Sequence, residues 1–413
     1  MRLRVLGAFL VVVVVAACSS GGSGAGDDDS SGDDDDGGTP TYWADVYGIL
    51  DANCVGCHST GGIGPFSLTG YANAQANAAL LPGVTASREM PPSNIDNSGN
   101  CNTWTDARWL SDVDISTLAA WNTAGAPEGN PADAPTPVPT PATEIAEVDV
   151  TLDIGVDYTP TLAPDEYRCF LVDGPTTAQY LTAYKTVPGN DAIVHHVVLF
   201  ALSSAAAQTE AENLDAASPG QPGYTCFGGA QVASTIVTVW APGTGATFFP
   251  AGTGIALPAN RKLVLQMHYN TSAVVGSDRT TIDLDLEPTV GSPAQLFPLG
   301  VGSFTIPPGE DSFAVIAPTQ TSPVNATVHL VYPHMHQRGE TLRVNRNGAC
   351  MVDVPRWNFG WQQFFRSTTP IQVQAGDTLD VTCTYDTQQD TNPIQSGEGT
   401  DEEMCGVGLY VTL

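Results

Sequence analysis

The stretch KLVLQMHY, residues 262–269, decides the fold. It is a short apolar run between clusters of Pro, Asn and Ser, which is typical of a buried β-strand. Similar runs recur through the second half of the chain and shortly before it, at 193–202, 234–240, 281–286, 327–332, 378–385 and 407–413. None of this region has the periodicity of a long amphipathic helix. The sequence therefore predicts a mainly β fold with two jelly-roll-like β-sandwiches in tandem.

The two predicted sandwiches meet near 288–298, which assigns 148–288 to the first and 289–413 to the second. A smaller unit precedes them at 41–126. The Pro-rich residues 127–147 predict a semi-extended linker between this unit and the β region.

The smaller unit is predicted to be α-helical at both ends. Helices are expected at Tyr42–Asn53 and Ser111–Ala124, and Ser111 is a good N-cap residue. Gly, Pro and Asn are frequent between the two helices, so that part is predicted to be loop.

A haem-attachment motif, Cys54-Val55-Gly56-Cys57-His58, lies in this unit. In the C-x-x-C-H pattern, Cys54 and Cys57 bind the haem covalently and His58 ligates its iron, which predicts a small cytochrome c-like domain. Residues 41–126 contain no other His and no Lys, and Met90 is their only Met, so Met90 is the predicted sixth ligand. The alternatives are a short-loop disulfide with an idle His58, and a five-coordinate iron with Met90 as an ordinary loop residue.

The N-terminus is predicted to be a lipoprotein signal peptide at residues 1–17. Val15-Ala16-Ala17-Cys18 resembles a bacterial lipobox, so the mature chain would start at a lipid-bearing Cys18. The alternative is an ordinary signal peptide with a coincidental Cys. Residues 18–40 are mostly Gly, Ser and Asp and predict a flexible acidic tether. We expect an exported protein held in the bacterial cell envelope, at the outer membrane.

The charge of the chain limits the classes of partner that it can bind. It has 14 basic and 44 acidic residues, a net charge of -30. Nucleic-acid binding needs clustered Lys and Arg, so nucleic acid is excluded as a partner. The acidic field weakly favours cationic small molecules.

Five of the seven histidines form three tight groups outside the haem motif: His195-His196, His268, and His334-x-His336. Imidazole suits copper, iron, zinc and nickel alike. Alternate residues of a strand share a face, so His334 and His336 can chelate one metal. His195 and His196 would point to opposite faces. They can share a metal only if the backbone is distorted or both use the nearer ring nitrogen, and His268 is the candidate third ligand.

The order His-His, Gln-x-His-Tyr, His-x-His and Asp-Glu-x-Met-Cys resembles the copper type II, ascorbate-dependent monooxygenases over residues 150–413. That family includes dopamine β-monooxygenase and peptidylglycine α-hydroxylating monooxygenase. The resemblance implies two copper-bearing β-sandwiches that face each other across a cleft. It implies an electron-transferring copper on His195, His196 and His268. It also implies an oxygen-binding, hydroxylating copper on His334, His336 and Met404, because a thioether favours Cu(I).

The resemblance also implies a disulfide between Cys383 and Cys405, on either side of Met404. Cys169 and Cys226 are the candidate second bridge. Export permits disulfides. For Cys101 and Cys350 the sequence does not say whether they pair.

The chain departs from the family at the substrate site. The peptide-amidating members hold a substrate carboxylate with an Arg, an Asn and a Tyr, at positions that are Tyr332, Gly406 and Gly408 here. A glycine-extended peptide is therefore not expected as substrate, and a roomier or more apolar pocket is.

The sequence thus predicts a copper-dependent monooxygenase that hydroxylates a C–H bond of a small molecule with O₂. Electrons are expected through the fused haem, from a periplasmic or surface redox partner, ascorbate or another external reductant. The alternative is an electron-transfer or copper-binding lipoprotein without oxygenase activity.

Overall fold

The computed structural model describes residues 38–62, 64–137, 144–242 and 244–413. The predicted signal peptide, the lipidation site Cys18 and most of the acidic tether lie outside the described residues. Six residues of the Pro-rich linker, 138–143, lie outside them as well. Within the described ranges, every helix is too short or too polar to cross a membrane.

The N-terminal unit has four α-helices: α1 (Tyr47–Asn53), α2 (Tyr71–Ala76), α3 (Leu81–Ala86) and α4 (Asp112–Thr123). A short π-helical turn, Tyr42–Val46, leads into α1. The predicted first and last helices are confirmed. Ser111 caps α4 in a reciprocal arrangement with Asp114, as its position suggested. The loop prediction between them was wrong over α2 and α3. Each has only six residues, too few to show a periodic pattern in sequence.

In the described residues of the first part of the β region, up to residue 287, there are ten strands and one helix. The strands are β1 (Val150–Asp153), β2 (Asp165–Asp173), β3 (Gln179–Val187), β4 (Val194–Leu202), β5 (Tyr224–Thr225), β6 (Ser234–Trp240), β7 (Thr247–Phe248), β8 (Thr253–Leu257), β9 (Lys262–Asn270) and β10 (Thr281–Glu287). The helix α5 (Ala205–Ala216) follows β4. It was missed because its buried residues are the small Ala207 and Ala211, which leave no apolar stripe.

The second part of the β region contains eleven strands. They are β11 (Ser292–Val301), β12 (Thr305–Ile306), β13 (Phe313–Ile316), β14 (Gln320–Thr321), β15 (Ala326–His334), β16 (Gly339–Arg346), β17 (Ala349–Val354), β18 (Phe365–Val373), β19 (Thr378–Tyr385), β20 (Ile394–Gln395) and β21 (Cys405–Thr412). The mainly β prediction is confirmed.

One nine-stranded sheet runs through both parts, in the order β1-β10-β3-β8-β11-β21-β15-β18 with β7 beside β3. Its two halves join where β8 and β11 pair in parallel, with Thr253 opposite Ser292. A five-stranded sheet, β5-β2-β9-β4-β6, packs on the first half, and β13-β19-β16-β17 with β14 packs on the second. The two sandwiches therefore share one sheet.

The strand patterns match these positions. In β9, seven consecutive residues are buried, because the strand lies between β2 and β4 in the middle of its sheet. In β19, buried and half-buried residues alternate, as expected of a strand with one face on the core. The stretch at 262–269 is thus the central strand of the first sandwich.

Part of the N-terminal unit belongs to the second sandwich. Ile95 and Trp104 are buried in the core of that sandwich, although the sequence assigned all of 41–126 to the haem unit. A disulfide joins Cys101 to Cys350 in β17, which answers the pairing that the sequence left open.

Candidate metal centres

The first histidine group is built on two paired strands. His196 in β4 lies directly opposite His268 in β9, and a bulge between Val194 and His196 shifts the register. The Nδ1 atoms converge: His196 Nδ1 is 3.5 Å from His195 Nδ1 and 3.2 Å from His268 Nδ1. The sequence required either a distorted backbone or use of the nearer nitrogen, and the structure contains both.

Asp165 orients the ring of His268. Its Oδ1 lies 2.9 Å from His268 Nε2, which makes Nε2 the protonated nitrogen and leaves Nδ1 as a lone-pair donor. Asp165 also accepts hydrogen bonds from Thr400 Oγ1 at 2.6 Å and Asn270 Nδ2 at 3.0 Å. Burial acts to raise the pKa of Asp165, but the hydrogen bonds from His268, Thr400 and Asn270 outweigh it and hold that pKa well below its ordinary value. The carboxylate is therefore ionised.

Tyr167 covers the other side of His268. The two rings are stacked with centroids 4.0 Å apart and an interplanar angle of 12°. The Tyr167 hydroxyl donates to the backbone carbonyl of Glu398, in the loop that precedes β21. The first group is therefore in contact with a loop of the second sandwich.

The second group lies where β15 ends. His334 is the last residue of β15, and His336 follows two residues later, with ring centroids 5.2 Å apart. His334 Nδ1 lies 2.8 Å from Gln362 Oε1, and His336 Nδ1 lies 2.9 Å from the carbonyl of Glu402. Both partners are carbonyl oxygens, which accept a hydrogen bond. Nδ1 therefore carries the proton in each ring, and Nε2 carries the lone pair.

Met404 lies next to this pair along the backbone. In the β15–β21 ladder His334 is opposite Gly406, two residues beyond Met404. The carboxylate of Glu403 is fully buried and accepts the backbone N–H groups of His336 at 2.9 Å and Arg338 at 2.7 Å. Burial raises the pKa of Glu403 to about 7. These contacts fix the start of β21 against the His334–His336 segment.

Burial disfavours the charged form of the imidazoles in both groups. Burial lowers the pKa of His195 and of His336 to about 3. Burial also lowers the pKa of His196, His268 and His334. Neutral imidazole is the form that binds metal.

The two groups face each other across the junction of the sandwiches. The rings of His195 and His336 have centroids 6.2 Å apart and meet edge to face. The ring of Phe359 lies beside both, with its centroid 5.4 Å from that of His195 and 6.2 Å from that of His336. Residues 141 positions apart in sequence are thus neighbours.

The donor atoms of the first histidine group fit one metal ion. Imidazole nitrogens at about 2.0 Å from a shared ion lie roughly 3 to 4 Å apart. His196 Nδ1 lies at such distances from His195 Nδ1 and His268 Nδ1, and one donor atom from each of the three rings lies within 4.8 Å of the others. His336 Nε2 is buried with no hydrogen-bond partner, which is costly unless a ligand binds it. Imidazole with a thioether from Met404 is a donor set that suits copper.

The haem motif directly follows α1. Cys54 and Cys57 are thiols, not a disulfide, which argues against the short-loop bridge. His58 Nδ1 lies 3.0 Å from the carbonyl of Phe66, so Nε2 is the lone-pair nitrogen of that ring. Met90 borders a small pocket with Trp109 and is 36% exposed, and its role as sixth ligand stays a prediction.

The other four cysteines of the described ranges form the disulfides Cys169–Cys226 and Cys383–Cys405. His329, the histidine outside every motif, contacts Thr412 Oγ1 at 2.9 Å and lies apart from both groups.

Sequence reasoning missed Asp165, Gln362 and Phe359. Asp165 is 103 residues from His268, and Gln362 is 28 residues from His334. Contacts at such separations leave no spacing pattern in a single sequence.

Both β-sandwiches match models of one family. Residues 156–275 match "Copper type II ascorbate-dependent monooxygenase, N-terminal domain", and residues 294–411 match the C-terminal domain of the same family. Together the two matches cover more than half of the chain.

Curated relatives agree with the family models. Tyramine beta-hydroxylase of Caenorhabditis briggsae is 23% identical over 295 residues, which is 64% of this chain and 49% of that protein. Dopamine beta-hydroxylase of Canis lupus familiaris is 23% identical over 316 residues, 70% of this chain and 50% of that protein. The chain spans about half the length of these relatives.

A solved structure of peptide-N(4)-(N-acetyl-beta-D-glucosaminyl) asparagine amidase covers 64% of this chain and 96% of its own, with a TM-score of 0.30 and 10% identity. A likeness that weak carries no argument. The two family models, in contrast, match both sandwiches in the expected order. The chain belongs to the copper type II ascorbate-dependent monooxygenase family.

Proposed function

We propose that this protein is a copper-dependent monooxygenase that hydroxylates a C–H bond of a small molecule with O₂. The observation that carries the proposal is the pair of histidine groups that face each other at His195 and His336, one in each matched domain. A purely structural role would leave His336 Nε2 buried without a partner.

The two groups take different roles. His195, His196 and His268 form the electron-transferring site, and His334, His336 and Met404 the oxygen-binding site. Copper bound there would supply one-electron transfer and the reduction of O₂. The chain's own contribution is orientation: Asp165 fixes the tautomer of His268, and Gln362 fixes that of His334.

The substrate is a neutral or cationic small molecule rather than a carboxylate. Tyr332 is buried against Phe364, with ring centroids 4.9 Å apart, and offers no positive charge. Gly406 and Gly408 carry no side chain that could bind an anion. The relatives are named for tyramine and dopamine, so aromatic amines are the first class to test.

The haem unit is the proposed entry point for electrons. Hydroxylation consumes two electrons per turnover in addition to those from the substrate. Cys54 and Cys57 would attach the haem and His58 and Met90 would ligate it, and Met/His ligation suits electron transfer. The donor to the haem would be an envelope redox partner, with ascorbate or another reductant as the direct alternative. The lipobox at Cys18 supports attachment to the outer membrane.

The deciding experiment measures O₂ uptake by the copper-loaded, reduced protein against a panel of aromatic amines and neutral aromatics. We expect substrate-dependent uptake and a product one oxygen heavier, with that atom derived from ¹⁸O₂. His336→Ala should lose both signals, whereas His329→Ala, which alters a histidine outside both groups, should keep them.

Copper reduction and reoxidation without product across the panel would instead indicate an electron-transfer protein. Binding of zinc but not copper would argue against both functions.

A further inference from the structure

A segment of the N-terminal unit is built into the second sandwich. Residues 94–105 run along it and are joined to it by the Cys101–Cys350 disulfide. The Asp96 N–H donates to the carbonyl of Asp353 at 2.8 Å, and the side chain of Trp104 is 2% exposed. The segment is therefore fixed in place.

The side chain of Asn94 forms hydrogen bonds with a turn of the second sandwich, residues 358–362. Its Nδ2 donates to the carbonyls of Asn358 at 3.1 Å and Trp361 at 2.9 Å, and its Oδ1 accepts the N–H of Asn358 at 2.8 Å. The side chain of Asn94 is 2% exposed. Because one amide binds both ends of the turn, it fixes the curvature of the turn.

The same turn carries two side chains of the candidate copper site. Gln362 Oε1 is the partner of His334 Nδ1, and Gln362 Nε2 donates back to the carbonyl of Phe359 at 3.0 Å. Phe359 lies against His195 and His336. The orientation of both side chains follows from the shape of the turn.

We propose that Asn94 is a positioning residue for the His334–His336 site, acting through the 358–362 turn and Gln362. A role of Asn94 in catalysis rests on the proposed function, whereas its effect on the conformation of the turn does not. The N-terminal unit is then more than an attached electron carrier, since it completes the framework of the oxygen-binding site.

Among the described residues, the first sandwich contacts the turn at Phe359, through the ring of His195, and at Gln362. Thr244 Oγ1 donates to the carbonyl of Gln362 at 2.8 Å. This contact fixes the end of the turn but not its beginning at Asn358. Loss of Asn94 should therefore loosen the turn without detaching it.

The test uses hydrogen–deuterium exchange on the copper-free full chain. In Asn94→Ala we expect amides of 358–362 to exchange about 10- to 100-fold faster, as three buried hydrogen bonds are lost. The control is Asn102→Ala, in the same segment, whose Nδ2 contacts the carbonyl of Met351 at 3.4 Å and does not contact the turn. Equal exchange in both variants would overturn the proposal.

A second readout is the Cu(II) electron paramagnetic resonance spectrum of the loaded protein. The signal of the His334–His336 site should change in Asn94→Ala, and that of the three-histidine site should not. A faster-exchanging turn with an unchanged spectrum would also overturn the proposal. If Asn94→Ala does not fold, Asn94→Asp replaces it, because the carboxylate still accepts from Asn358 but donates nothing to Asn358 or Trp361.

The exchange measurement needs neither copper nor turnover. A protein without oxygenase activity whose turn still depends on Asn94 would refute the proposed function alone.

Discussion

The two histidine groups are built in different ways. His196 and His268 face each other across two paired strands of one sheet, and His195 is next in the chain. His334 and His336 lie at and beyond the end of a strand, and their partners come from two separate loops, at Gln362 and Glu402.

The two histidine groups therefore depend on different parts of the fold for their geometry. The three histidines of the first group are brought together by the pairing of β4 and β9 within a single sandwich, with a bulge between Val194 and His196. The second depends on loops, and one of these is held by Asn94 from the N-terminal unit. We expect the second group to be the more easily disturbed by distant changes.

The largest effect is expected at Met404. Met404→Ala removes the proposed thioether ligand, so hydroxylation should be abolished while copper stays on His195, His196 and His268. Product formation and copper stoichiometry by metal analysis are the measurements. Met351→Leu changes a methionine in the core of the same sandwich and should retain activity. Normal turnover by Met404→Ala would refute the assignment of the oxygen-binding site.

The second prediction concerns the disulfide that ties the N-terminal unit down. Cys101 and Cys350 are 249 residues apart, so replacing both by Ser should lower the free energy of unfolding by about 5 kcal/mol on the loop-entropy account. Denaturant unfolding measures this. The matched change at Cys169 and Cys226, 57 residues apart, should cost about 4 kcal/mol.

The two disulfide variants should differ more in their copper spectra than in stability. Only loss of Cys101–Cys350 should alter the His334–His336 signal, because its segment carries Asn94. A spectrum altered equally by both would mean that general loosening, not this segment, controls the site.

The contrast between the two groups also explains what the sequence could predict. The strands, the order of the motifs along the chain and the histidine groups could all be predicted from local sequence patterns. The stretch KLVLQMHY is indeed a central strand. The alternation of side chains along a strand even limited the ways in which His195 and His196 can share a metal to two: a distorted backbone, or use of the nearer ring nitrogen by both.

The sequence did not predict the orienting partners or the true extent of the second sandwich. Ile95 and Trp104 enter its core from a segment that the sequence assigned to the predicted haem unit. Gln362 and Asp165 act through contacts between distant loops. Such contacts depend on the packing of whole sandwiches, and local propensity contains no trace of them.

The third prediction compares the orienting partners directly. Asp165→Asn and Gln362→Leu should each weaken copper binding about 10- to 100-fold at the site they orient, since such partners fix the tautomer and the ring direction. Copper titration with resolved spectra distinguishes the sites. Asp165→Asn should act first on the three-histidine site and Gln362→Leu on the His334–His336 site. Reversed site preferences would contradict the structure.

The smallest effect is expected at Tyr167, which links the two groups. Tyr167→Phe keeps the ring stacked on His268 but removes the hydroxyl that donates to the carbonyl of Glu398. One such hydrogen bond is worth about 1 kcal/mol of unfolding free energy. Tyr224→Phe is the control, because its hydroxyl donates to the carbonyl of Ala230 at 2.8 Å within the first sandwich.

Both tyrosine variants should lose similar stability in denaturant. Only Tyr167→Phe should speed hydrogen exchange in the loop at 396–403, because that loop belongs to the other sandwich and carries Thr400, a partner of Asp165. If the loop exchanged no faster than in Tyr224→Phe, the tyrosine would stabilise its own sandwich alone. The contact of the first group with this loop would then depend on the hydrogen bond between Asp165 and Thr400 instead.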